Sequence, residues 1–92
     1  MILRKFEKNP ADVMDYDIDY SPWLVESDTI QSVTVVSDID TLEIKSVFNT
    51  TNRVKVWLAG GVDGVIYKVS VTITTEDGRV LQHEFIMKVR DR

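Results

Sequence analysis

Few side chains in this sequence are of a type that does chemistry, and their spacing is the first thing to weigh. Asp15, Asp17 and Asp19 alternate with Tyr16, Ile18 and Tyr20, and Glu26 falls twelfth when Asp15 is counted first. That imitates the ligand positions of an EF-hand calcium loop. Tyr20, however, occupies the sixth position, where such a loop turns on glycine, and no flanking helices are apparent. On an extended strand, residues two apart are separated by about 6.6–6.8 Å. Three such carboxylates cannot all reach one ion at the roughly 2.3–2.6 Å that calcium requires. The strip is therefore expected to face solvent or a partner, with no metal.

His83 is the sole histidine. It shares a face with Leu81 and Phe85, so a hydrogen-bonded core or sheet-edge role is expected. One histidine cannot make a multi-histidine metal site, and nothing in its spacing pairs it with a serine and an acid. Gly60-Gly61-Val62-Asp63-Gly64 lacks the lysine and following helix of a P-loop and reads as a tight turn. Asn49-Thr50-Thr51 matches a glycosylation sequon that needs a secretory context to matter. No convergent acid–base pair can be named, so no enzyme activity and no cofactor are expected.

The elements that carry these residues are strands. Asp15–Tyr20 alternates with period two, the mark of a strand with one wet face. Val33 and Val35, then Leu42 and Ile44, then Val54, Val56 and Leu58 repeat the pattern in residues 30–36, 39–48 and 53–58. Residues 65–75 place Val65, Tyr67, Val69, Val71 and Ile73 on one face. Residues 80–90 return with Leu81, His83, Phe85, Met87 and Val89. Glu76-Asp77-Gly78-Arg79 is a hairpin turn, glycine supplying the positive φ. Residues 9–14 are expected as one helical turn, with Asn9 as N-cap and Pro10 at the first position. Short strands with turn signals and no long helix predict an all-β, antiparallel sandwich in a single domain, 1–92. Segments 1–9 and 88–92 are candidate assembly arms, because chain ends are loosely held until something pins them.

Composition narrows the function. The chain has 92 residues, 43% of them hydrophobic, and no cysteine, so packing alone must hold it. No stretch approaches the ~18–20 apolar residues of a membrane span, and the start lacks a signal peptide's apolar run. Synthesis in a cytoplasm is expected. Net charge is −4, with ten acids and four bases in residues 1–46 against five acids and seven bases in 47–92. An acidic chain with no basic stripe is a poor nucleic-acid binder. The asymmetry suits stacking of like subunits or a basic protein partner, though solubility alone also accounts for it.

Four large apolar residues, Trp57, Ile66, Val80 and Ile86, fall on the face opposite each strand's core set. Clustered, they make an apolar patch of the kind that marks protein–protein contact; otherwise both sheet faces are partly covered within the domain. Asp15, Asp17 and Asp19, with Lys88, Arg90 and Arg92 at the other end of the chain, are candidates for orienting a partner by opposite charge. Exposed sheet edges offer a further route, strand addition between subunits.

Two blocks of sequence resemble a known family. Residues 8–24, KNPADVMDYDIDYSPWL, are similar to the opening of small tailed-bacteriophage proteins known as fibre–tail adaptors. The second block runs through Asn49-Thr50-Thr51, Val56-Trp57-Leu58-Ala59-Gly60-Gly61, Tyr67-Lys68-Val69, Thr72-Ile73-Thr74-Thr75, Gly78-Arg79 and Lys88-Val89-Arg90-Asp91-Arg92. Tyr20 stands where the family often has tryptophan, and residues 30–48 carry little signature. The resemblance implies a non-enzymatic virion component with an immunoglobulin-like sandwich, placed between the tail or portal region and the fibres; several copies per particle, made in the host bacterial cytoplasm, are expected. Within that class a capsid decoration or cement protein is the rival reading. From another class, a carbohydrate-binding module at the host surface would need Trp23, Trp57 and the tyrosines to line one groove.

Overall fold

The protein is represented by a computed structural model that describes residues 2–91. Seven strands form it: β1 (Ile2–Lys8), β2 (Met14–Asp19), β3 (Ile30–Ser37), β4 (Leu42–Asn49), β5 (Arg53–Gly60), β6 (Ile66–Thr75) and β7 (Val80–Val89), with a 3-10 turn at Ser21–Trp23. They make two facing sheets, one ordered β1-β7-β6-β3 and the other β2-β5-β4. Every pairing is antiparallel except β1 with β7, which is parallel. The expected sandwich is therefore present, with one parallel pair at an edge. Strands β2 to β7 each turn one apolar face inward, and the core runs from Ile18 and Tyr20 through Val54, Val56 and Leu58 to Tyr67, Val71 and Phe85. The sequence alternation had marked these positions for the reason the sheet enforces: successive side chains leave opposite faces.

The helical turn expected over residues 9–14 is not there. Asn9 accepts the Asp12 amide at 3.0 Å, and the Asp12 carboxylate accepts the Asn9 amide at 3.2 Å. This closes a tight reverse turn, and the chain is already extended at Met14. Pro10 and Asn9 suit a turn as well as a helix start, and β1 and β2 must lie in different sheets. Residues 2–8, within the segment offered as an assembly arm, form β1 along β7.

A hydroxyl ties the sheets together. Tyr67, at the start of β6, is fully buried, and its oxygen accepts the Val62 amide at 2.8 Å while lying 2.6 Å from Thr41 Oγ1. A tyrosine beginning a strand and bonding backbone a few residues upstream resembles the tyrosine corner of immunoglobulin-type sandwiches. With β2 to β7 taken as B to G, the B-E-D and G-F-C neighbours of that plan are also reproduced.

Two staples close the ends. Lys8 is buried, and its Nζ donates to the carbonyls of Asn9 and Gly60 at 2.7 and 2.5 Å, joining β1 to the end of β5. Burial lowers its pKa, against a smaller raising effect of Asp12. At the other end Asp28 is buried beneath the β6–β7 hairpin. Its carboxylate accepts from the Thr29 and Asp77 amides and from Arg79 Nη1. Desolvation pushes its pKa up, but the hydrogen bonds from Thr75, Asp77, Arg79 and Thr29 outweigh it and hold the carboxyl below its ordinary range.

Candidate docking faces

The outer face of the β2-β5-β4 sheet gathers aromatic and charged side chains in rows. Asp15, Asp17 and Asp19 on β2 stand opposite Trp57, Lys55 and Arg53 on β5. Trp57 and Lys55 in turn stand beside Ser46 and Phe48 on β4. Trp57 is half-buried among these neighbours, whereas Phe48 is 60% exposed. Phe48, with Asp17, Asn49, Thr50, Arg53 and Lys55, lines a depression of about 350 Å³.

Phe48 owes its position to a fault in the ladder. Alternation from Leu42 and Ile44 would carry Ser46 and Phe48 into the core. The register slips between Ile44 and Ser46, and an extra residue at a bulge reverses which face follows. Val47 packs against the core instead. Sequence reasoning missed Phe48, because two adjacent apolar residues leave the facing ambiguous.

The charges on this face are paired only loosely. Lys55 lies 3.4 Å from Asp15 and Arg53 lies 3.7 Å from Asp19, all four half-exposed. Exposed pairs of this kind contribute little and exchange partners readily. Asp17 forms no ion pair among the described residues. Asp19 has a local task as well. It accepts from the hydroxyl and amide of Ser21 at 2.7 and 3.0 Å, and these bonds lower its pKa. No group of three or more potential metal ligands is assembled among the described residues.

The remaining candidates do not join Trp57. Ile66 and Ile86 lie on the outer face of the other sheet, where they share a depression of about 580 Å³ with Lys5, Phe6, Glu7 and Lys88. Val80 is exposed on that same face, but it pairs with Thr74 while Ile66 pairs with Lys88, at opposite ends of the hairpin. The single apolar patch considered from sequence is thus three separate places. Arg90 is exposed just past β7, its amide bonded to the Lys8 carbonyl. Arg92 lies outside the described residues.

The seam between the β1 and β2 edges holds a cleft of about 380 Å³ lined by Arg4, Phe6, Asp17, Asp19, Trp23 and Arg53, among others. Phe6 fills its floor, 4.8 Å from Tyr16 and 5.5 Å from Phe85 between ring centres, with the Arg4 guanidinium 4.9 Å above it. Trp23 packs on His83 at 4.9 Å, and His83 lies 5.2 Å from Tyr20. His83 is buried, as its face implied, but its Nδ1 lacks the expected hydrogen bond among the described residues; ring packing holds it instead. The Tyr20 hydroxyl likewise has no hydrogen-bond partner among them. Burial lowers the His83 pKa and pushes that of Tyr20 up to about 12. Trp23 sits at the seam, Trp57 on an outer face and Tyr20 and Tyr67 in the core, so these rings line no common groove.

The fold is a two-sheet β-sandwich with Trp57, Phe48 and a row of charged side chains on one outer face. The chain matches the family described as podophage GP4 fiber-tail adaptor protein gp77 over residues 8–88 and belongs to that family. It is a structural phage protein. No curated protein matches it.

Proposed function

We propose that this chain is a non-enzymatic part of the virion that joins the tail or portal region to fibres, and that the outer face of the β2-β5-β4 sheet is where it docks. Family membership supports the location. The single observation that carries the site is the placement of Trp57 between the Asp15 strand and the Ser46–Phe48 strand on a sheet face that nothing covers among the described residues. Large aromatics ringed by polar groups are the usual anchors of protein interfaces. The loosely held Asp15–Lys55 and Asp19–Arg53 pairs, together with Asp17, offer both signs of charge for orienting a neighbour. Ile66, Ile86, Lys5 and Lys88 form a second contact on the opposite face, and the positive charges of Arg90 and Arg92 in the sequence that follows are further candidates for orienting a partner. An adaptor needs two faces, and the sandwich provides two pointing apart. The immunoglobulin-like assignment rests on strand order and the Tyr67 corner.

The test is incorporation. Particles assembled with a Trp57→Ala, Phe48→Ser chain should lack both this protein and the fibres while keeping full heads. Normal fibre content with that variant would remove this face from the docking role.

A further inference from the structure

Of the four sheet edges, three are guarded and one is not. The β1 edge carries Arg4, Lys5, Glu7 and Lys8, with a register break between Ile2 and Lys5. The β2 edge carries three aspartates in six residues. On the β4 edge, Glu43 and Lys45 flank a bulge. Charges and bulges on an edge are what keep strands from pairing with another copy. By contrast β3, Ile30–Ser37, reads IQSVTVVS: eight residues without a charge, a proline or a glycine. It pairs only with β6, and its register is regular from Ser32 to Ser37. On its other side Ile30 is bonded, its amide to the Thr51 carbonyl and its carbonyl to Asn49 Nδ2, but beyond Ile30 no strand pairs with it there among the described residues.

We infer that the free β3 edge is a self-association site at which a second copy of this chain adds its own β3 antiparallel, about a two-fold axis at Thr34. The sequence of the strand argues for a second copy as the occupant. An axis at Thr34 sets Thr34 opposite Thr34, Val33 opposite Val35 and Ser32 opposite Val36. No charge is placed against a like charge. The same operation on β2 would oppose aspartate to aspartate, which is destabilising. Val33 and Val35 are now half-buried at the end of the core, and Val36 is 57% exposed on the outer face. Pairing would extend the four-stranded sheet across the axis and cover the two inner valines. The contact is isologous and closes at two copies. It uses neither docking face, so it stands apart from the adaptor reading.

Sedimentation of the purified full chain at concentrations up to about 1 mM tests it, with hydrogen exchange alongside. The expected result is a reversible dimer and no larger species. Amides on the outward side of Ser32–Ser37 should gain protection as concentration rises. Thr34→Lys and Thr34→Glu each point an exposed outer-face residue at its own copy across the axis, and each alone should weaken the dimer roughly tenfold or more. Mixed in equal amounts they should restore it as a heterodimer. Asp17→Lys on β2 should leave the dimer unchanged, and circular dichroism confirms that each variant retains its sheet. A monomer at every concentration, open-ended growth, or a Thr34→Lys chain that dimerises like the parent overturns the inference. A chain that stays monomeric yet enters particles with its fibres sinks this inference alone and leaves the adaptor role standing.

Discussion

Thr41 Oγ1 and the Tyr67 hydroxyl lie 2.6 Å apart across the sandwich, joining the residue that leads into β4 to the first turn inward of β6. The same phenol oxygen accepts the Val62 amide. One side-chain atom thus holds both sheets and the glycine loop between β5 and β6. Tyr20 is equally buried, but its hydroxyl has no partner among the described residues.

These two tyrosines should therefore respond oppositely to loss of oxygen. Tyr67→Phe strips an acceptor from Val62 and a partner from Thr41 and is expected to cost about 1–3 kcal/mol. Tyr20→Phe removes a buried polar atom that bonds nothing described, and is expected to be neutral or stabilising. Urea denaturation of the two variants checks both.

The β5–β6 loop separates close approach from conformation. Gly61 has φ +95°, and a Cβ there would stand 2.7 Å from Val89 Cγ2. Gly64 has φ +85° with nothing within 4 Å. Gly64→Ala should cost only the strain of a left-handed residue, about 1–2 kcal/mol. Gly61→Ala should cost that plus about 1–3 kcal/mol for crowding Val89. Equal losses in thermal or urea unfolding would mean that Val89 gives way freely.

Acid should lower the stability of the protein over two pH ranges. His83 is held below its ordinary 6.5 by burial, so the unfolded chain takes up the proton first. Its stabilising contribution is complete above 6.5 and is lost as pH falls through the lower folded value. Asp28 is held below its ordinary 3.8 by its hydrogen bonds, despite desolvation. Its contribution is present above 3.8 and disappears as pH drops through the folded value. Urea midpoints measured from pH 8 to 2 should show both declines. His83→Phe should flatten the upper one, and Asp28→Asn the lower one, while also lowering stability at neutral pH.

How much of this was legible beforehand depends on what each residue's neighbours report. β5, β6 and β7 alternate cleanly, and their inward sets, from Val54 to Val89, make up most of the core. The acidic strip on β2 faces outward for the same reason. β1 was hidden because Arg4 and Lys8 interrupt the apolar alternation around Phe6. Arg4 stacks on an aromatic ring and Lys8 spends its charge on two carbonyls, and neither arrangement leaves a periodic trace. The bulge in β4 is equally silent, and with it the outward turn of Phe48. Trp57, Ile66, Val80 and Ile86 were placed correctly as outward. Their separation was not visible, since it depends on which sheet each strand joins.

Trp57→Ala should divide stability from assembly. The ring is half-buried on an outer face, so its loss should cost the isolated chain less than about 2 kcal/mol, whereas a central interface aromatic commonly accounts for ~2 kcal/mol or more of binding. Paired measurements of urea midpoint and of copies per particle test this. A large stability loss with normal incorporation would make Trp57 a structural residue.

The central claim is that this sandwich links tail and fibres through its β2-β5-β4 face, and reconstruction of the intact particle tests it most directly. The expected density is a seven-stranded sandwich at the tail–fibre junction, with Trp57 and Phe48 buried against a neighbouring chain. The same sandwich on capsid faces, or at the tail with that face open to solvent, would contradict it.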